Sequence, residues 1–129
     1  AAPAMSLVRR FWLFLAWGFL ALVVYFSLAP SLPSAAQKVW DKASHLLSYA
    51  WLMWWFAQLN ASRAGKLRVA LALIGLGVGL ELLQGLTLTR QADALDALAN
   101  ALGVGAGLLL SFTPLGAVLR RLEMSTSRH

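Results

Sequence analysis

The sequence predicts an all-α, polytopic membrane protein, four transmembrane helices in one compact bundle with both termini cytoplasmic, on three observations. Hydrophobic residues make up 60% of the chain and charged residues only 12%, a balance well outside that of soluble domains. A helix needs about 20 apolar residues to cross roughly 30 Å of hydrocarbon, and four stretches offer them: residues 11–29, 38–60, 68–86 and 93–119. Eight of the eleven Lys and Arg residues (Arg9, Arg10, Arg63, Lys66, Arg68, Arg120, Arg121 and Arg128) fall before the first stretch, between the second and third, or after the fourth. The other side holds only Lys38, Lys42 and Arg90, so the positive-inside rule places both termini in the cytoplasm.

One domain, residues 5–123, accounts for this length, with 124–129 as a tail and residues 1–4 as a non-native remnant ahead of Met5. The net charge of +6 is explained by topology and by attraction to anionic lipid, so no nucleic-acid partner is expected. With no cysteine, disulfide, thiolate and cysteine-zinc chemistry are excluded.

The first stretch carries no charge. Its length is that of a retained helix rather than of a cleaved signal peptide. Pro30 and Pro33 separate it from the second. Trp12, Trp40, Trp54 and Trp55 fall near helix ends and read as interfacial anchors, whereas Trp17 and Trp51 lie deeper and read as packing residues.

The second stretch is polar at its start. At helical spacing Asp41, Lys42, His45 and Tyr49 occupy an arc of about 100°. Each has a bland explanation: Asp41 at a helix N-terminus, Lys42 snorkelling, His45 bonded to a neighbour, Tyr49 at the interface. Together with the later helices those explanations weaken, because ionisable groups inside a membrane are costly and face a bundle interior or a pathway.

The third stretch is interrupted only by Glu81 and Gln84, three apart and so on one face. Arg90 falls in the following turn. The fourth opens with Asp93, Asp96, Asn100 and Gly103 within an arc of about 80°, and Pro114 kinks or ends it. Gly75 to Gly79 and Gly103 to Gly107 have small-xxx-small spacing, read as packing of the third helix on the fourth, with a homodimer as the alternative. A rise of about 1.5 Å per residue puts Tyr49, Glu81 and Asn100 at similar depths. The expectation is a pocket in the outer leaflet, open to the extracytoplasmic side.

This set of residues resembles the VanZ-like family of small bacterial membrane proteins. The family pattern is Asp-Lys-x-x-His-x-x-x-Tyr, then Glu-x-x-Gln, then Arg-x-x-Asp-x-x-Asp-x-x-x-Asn-x-x-Gly. The matching positions are Asp41, Lys42, His45 and Tyr49; Glu81 and Gln84; and Arg90, Asp93, Asp96, Asn100 and Gly103, within residues 37–110. The resemblance implies a multi-pass protein of the bacterial cytoplasmic (inner) membrane, linked to teicoplanin resistance. It also implies a remote grouping with enzymes that exchange or hydrolyse phosphate-linked lipid head groups, phosphatidylserine synthases among them.

Two functions are then expected to compete. In the first, an enzyme acts on the phosphate head group of a phospholipid or polyprenyl phosphate. Arg90 and Lys42 hold the anion, and His45 acts as base or nucleophile, oriented by Asp96 or Glu81. Tyr49, Gln84, Asp93, Asn100 and Gly103 complete the substrate site. Asp41, Glu81, Asp93 or Asp96 can also hold magnesium or calcium through oxygen ligands, while one histidine with scattered carboxylates is no zinc site. In the second, the same cluster binds or transports a lipid or glycopeptide without chemistry, or only holds four helices in register.

Overall fold

The structure, a computed structural model, describes residues 5–28, 35–86 and 94–126, and of residues 35–41 the backbone alone. The described chain is all helical: α1 (Leu7–Leu28), α2 (Ala35–Ala57), α3 (Arg63–Gly85), α4 (Ala94–Ser111), a 3₁₀ turn (Pro114–Ala117) and α5 (Val118–Thr126). Three of these, α1, α3 and α4, are long and apolar enough to cross a membrane. The chain is a helical membrane protein. Its surface agrees, with Phe11, Phe14, Tyr25, Phe26, Leu71, Leu82 and Leu109 exposed, where a soluble fold would place polar side chains.

Local chemistry fixes the ends. Ser62, extended at φ −83° and ψ 149°, caps α3 by accepting from the Gly65 amide at 3.0 Å. The fourth stretch does not run on to residue 119 as one helix. It stops at Ser111, because the ring of Pro114 pushes Thr113 out of the helical region. Thr113 is extended, at φ −93° and ψ 175°. Its hydroxyl caps the 3₁₀ turn at Leu115 N, 3.2 Å away, and α5 then carries order through residue 126, into the expected tail.

Contacts between helix ends give the topology. Trp12 at the start of α1 meets Trp55 at the end of α2, Lys66 at the start of α3 meets Ser111 at the end of α4, and Gln84 at the end of α3 meets Ser27 at the end of α1. The helices therefore alternate in direction, with α2 parallel to α4 and α1 parallel to α3. The parallel pair α2 and α4 packs most intimately, α3 lies against both, and α1 lies against α2 and α3.

Glycine explains that intimacy, and it corrects the expected pairing. A Cβ on Gly103 would collide with the Leu46 carbonyl, and one on Gly107 with the Ala50 carbonyl and with Met53 Cβ at 2.8 Å. The Gly103–Gly107 stripe thus seats α2, not α3, since a missing Cβ admits whichever backbone lies opposite. Gly75 and Gly79 have nothing within 4 Å, so that pair does not mediate packing of α3 on α4. Gly77 does, with its Cβ position 3.1 Å from Asn100 Nδ2.

The basic end of the bundle is tied by long-range bonds. Trp12 and Trp55 stack at 3.7 Å and 8°, and each indole N–H donates to the other residue's carbonyl at 2.9 Å. Both are buried, at 7% and 8% exposure, so this pair is a core clasp rather than a set of interfacial anchors. Trp54, half-buried, donates to the Leu115 carbonyl. Trp17 and Trp51, read as packing residues, are exposed but make ring contacts, Trp17 edge-on with Phe56 and Trp51 edge-on with Phe19 and tilted against Trp54 and Trp55. The Gln58 side chain donates to Leu115 O at 2.9 Å and accepts from Leu119 N at 3.2 Å, fastening the turn into α5. Arg9 pairs with Glu123 at 2.8 Å, and Ser6 donates to the same carboxylate. Those two hydrogen bonds hold the Glu123 carboxyl below its ordinary range.

Candidate functional site

The opposite end holds the polar residues. Side chains on a helix lean towards its N-terminus. Those of α2 and α4 therefore lean towards the site end while those of α3 lean away from it, and groups from the two directions converge. On α3 the buried residues Gly77, Glu81 and Gln84 fall at i, i+4 and i+7, one face turned inward.

His45 and Asn100 form the centre of the site. His45 Nδ1 lies 2.7 Å from Asn100 Oδ1. An amide oxygen only accepts, so the imidazole donates to it through Nδ1–H. Asn100 is 3% exposed and packed against Gly77, which fixes the amide and through it the ring. The group that orients His45 is therefore an amide, in place of the expected Asp96 or Glu81. Asp96 instead faces Lys42, with Nζ to Oδ1 3.6 Å, one turn nearer the helix starts. Parallel register explains both pairs, since residues 42 and 45 on α2 stand opposite 96 and 100 on α4.

Tyr49, one turn deeper than His45, is 1% exposed, and its hydroxyl has no hydrogen-bond partner among the described residues. It feels the charge of Glu81, itself 6% exposed. Gln84, 2% exposed, donates to the Ser27 carbonyl of α1, which makes it a helix tie as well as a site neighbour. Gly103 lets the α2 backbone approach. The structure thus brings Lys42, His45, Tyr49, Glu81, Asp96 and Asn100 towards one interior region between α2, α3 and α4. Arg90, Asp93 and the side chain of Asp41 lie outside the described residues. Among the described residues no group of three His, Asp or Glu stands close enough to hold a metal ion. Asp41 and Asp93, two of the four carboxylates considered for magnesium or calcium, are not among them.

Sequence reasoning missed Gly77 and the Ser27 carbonyl. Gly77 stands four residues before Glu81 and so shares its face, a signal present in the spacing. A backbone acceptor such as Ser27 O leaves no trace in side-chain pattern.

Chemically, the region offers an imidazole held at Nδ1, a cation paired to a carboxylate at the rim, a second buried carboxylate and a phenolic donor. That set suits proton transfer beside a bound anion. Comparison of the chain with protein-family models, with curated proteins and with solved structures found no match.

Proposed function

We propose that the protein is a VanZ-like, four-span protein of the bacterial inner membrane that acts on the phosphate head group of a lipid at the extracytoplasmic face, by hydrolysis or head-group transfer. In this reading α2 is the fourth span, its polar half lining the site and its apolar half crossing the inner leaflet. Both termini lie in the cytoplasm because Arg9, Arg10, Arg63, Lys66, Arg68, Arg120 and Arg121 gather at one end. A role in the cell envelope, including glycopeptide (teicoplanin) resistance, follows from the resemblance.

The observation that carries the reading is the His45 to Asn100 hydrogen bond, because it fixes the imidazole through Nδ1 on a buried support. A helix-packing contact does not need an ionisable ring held in one tautomer. His45 Nε2 takes the proton of water or of an acceptor alcohol as the new O–P bond forms, then returns it to the leaving alkoxide as the old P–O bond breaks. Lys42 and Arg90 balance the phosphate charge. Magnesium or calcium would assist by polarising the phosphoryl oxygens. A non-catalytic binding or transport role is the competing reading. It draws on the same geometry, since Asn100 can equally lock His45 as a fixed donor or acceptor.

Purified protein, incubated with polyprenyl phosphates, phosphatidylglycerol and phosphatidylethanolamine with and without magnesium or calcium, should release or transfer a head group. His45→Ala should lower turnover by about two to four orders of magnitude, the usual worth of a general base, and keep lipid binding. Arg90→Lys should impair it, because an ammonium makes no bidentate contact. If no lipid is consumed, or His45→Ala performs like the parent, catalysis is refuted and binding stands.

A further inference from the structure

The end of the bundle away from His45 carries charge without counter-charge. Arg10 lies in the first turn of α1, Arg63 and Arg68 in the first two turns of α3, and Arg120 and Arg121 in α5, and all five are exposed. Of the described carboxylates, Glu81 and Asp96 belong to the other end. Glu123 is already engaged, with one oxygen on Arg9 and the other on Ser6. Lys66 is buried and donates to the Ser111 carbonyl, so the exposed charge among the described residues of this end is arginine alone. Like charge gathered at one end of a small bundle repels itself. An anionic partner removes that cost.

The neighbours of the arginines indicate the kind of anion. On α1, Leu7, Arg10, Phe11 and Phe14 stand at i, i+3, i+4 and i+7, on one face, and the three apolar members are exposed. On α3, Arg68 shares a face with Leu71, three residues on and exposed. Both helices are long and apolar enough to cross a membrane, so in each a guanidinium stands at the foot of a stripe fit to face hydrocarbon. Arg63 lies over the exposed Phe112 ring, 5.8 Å from its centroid. On α5, Leu119 is buried and Glu123 reaches Arg9, while Arg120, Arg121 and the exposed Met124 fall within an arc of about 100° turned away from them. A water-borne polyanion such as nucleic acid offers phosphate to the arginines and nothing to Leu7, Phe11, Phe14 or Leu71. A phospholipid offers phosphate and acyl chain in the order the two helices present their partners.

We propose that the basic end is a binding surface for anionic phospholipid, with phosphates on Arg10, Arg63, Arg68, Arg120 and Arg121 and acyl chains along the exposed faces of α1 and α3. The positive-inside rule asks only on which side arginines lie. Here the lipid stays on the protein, saturably, after the membrane is gone. The surface lies at the opposite end from the head-group site and does not depend on it.

The test is titration of short-chain phosphatidylglycerol and phosphatidylethanolamine into the lipid-stripped full chain in detergent, at low and high salt, read by native mass spectrometry and tryptophan fluorescence. A basic residue near an anionic surface is worth about fivefold in affinity, so at low salt phosphatidylglycerol should bind at least about tenfold tighter than the zwitterionic lipid. High salt should remove that preference. Arg120→Gln combined with Arg121→Gln should weaken phosphatidylglycerol by about 25-fold and phosphatidylethanolamine little, whereas the matching pair of lysine substitutions, which keeps the charge, should stay within about threefold of the parent. Arg68→Gln, on another helix, should cost about fivefold alone and serves if the α5 pair does not fold. Equal affinity for the two lipids, a preference that ignores salt, or glutamine variants that bind like the parent overturn the surface. So does a lysine pair that loses as much as the glutamine pair, because charge is then not what holds the lipid. A single-stranded oligonucleotide that binds where phosphatidylglycerol does not also overturns it and gives this end to a water-borne polyanion. None of these outcomes bears on the His45 site.

Discussion

Gly103→Ala isolates the contact on which the site depends. The added methyl would sit against the Leu46 backbone carbonyl, with the Leu46 carbonyl carbon at 3.0 Å and the Ala50 amide nitrogen at 3.1 Å. Backbone cannot rotate away as a side chain can, so α2 and α4 must part by about 1 Å to restore a normal contact, an overpacking that typically costs about 1–3 kcal/mol. The same movement stretches the 2.7 Å bond from His45 to Asn100 beyond about 3.5 Å, where it ceases to be a hydrogen bond. Gly105→Ala is the matched control, two residues along the same helix with nothing within 4 Å of its Cβ position. There the methyl should be neutral or mildly stabilising, since alanine exceeds glycine in helix propensity by about 1 kcal/mol. Thermal unfolding in detergent, followed by tryptophan fluorescence, should therefore show a lowered transition for Gly103→Ala and an unchanged or raised one for Gly105→Ala. Gly107→Ala should resemble Gly103→Ala, and the double variant should lose less than the sum, because one helix displacement relieves both collisions. Equal melting of Gly103→Ala and Gly105→Ala would refute the backbone contact and the parallel seat of α2 on α4.

Trp12→Phe keeps the stack but removes the donor to Trp55 O, leaving a buried carbonyl unpaired at about 1–3 kcal/mol, so its unfolding transition should fall while Trp17→Phe, on the exposed surface, should leave it unchanged. The Glu123 carboxyl is held below its ordinary range in the folded chain; a depressed folded pKa stabilises above the unfolded value and is lost as pH falls through the folded one. The α5 latch should therefore loosen only on acidification below the usual carboxylate range, by no more than the roughly 0.2–1 kcal/mol of an exposed pair, and Glu123→Gln should abolish that dependence in a limited-proteolysis assay of α5. Lys66 donates to Ser111 O at 2.6 Å from a buried position, completing the C-terminus of α4; Lys66→Met should destabilise, and Lys66→Arg should recover part of the loss. For orientation, cysteines placed at Ser34 and Ser62 should be labelled by an impermeant reagent at Ser34 alone; labelling of Ser62 alone reverses the topology.

The site was more legible in the sequence than the packing that makes it. Lys42 and His45 are three apart and Asp96 and Asn100 four apart, so helical spacing alone put each pair on one face. What spacing cannot give is which helices stand side by side. The small-residue stripe at Gly103 and Gly107 says that a backbone comes close, not whose, and the neighbour proved to be α2 rather than α3. The same gap misread His45, because the identity of its partner depends on the register between α2 and α4, and that register sets Asn100 rather than a carboxylate against Nδ1. The tryptophans show a different limit. A residue near a helix end is read as an anchor, but Trp12 and Trp55 are held by backbone carbonyls, acceptors that every residue possesses. The end of α4 was legible because proline acts locally, through the residue before it.

The tryptophan clasp has a mechanical meaning. Along α2, Trp55 stands ten residues from His45, about 15 Å at helical rise, and between them the helix is a stiff bar. Bonds at the basic end pin the feet of α1, α2, α3 and α4, like the spring of a clothes-peg, and the jaws are the polar halves of α2, α3 and α4. A rotation of only about 4° at such a spring opens a bar of that length by about 1 Å at its far end. That is the scale that separates a hydrogen-bonded His45 from a released one. By that geometry, a tilt of α2 caused by a change at Trp12, far from every polar group of the site, would reach the imidazole as displacement.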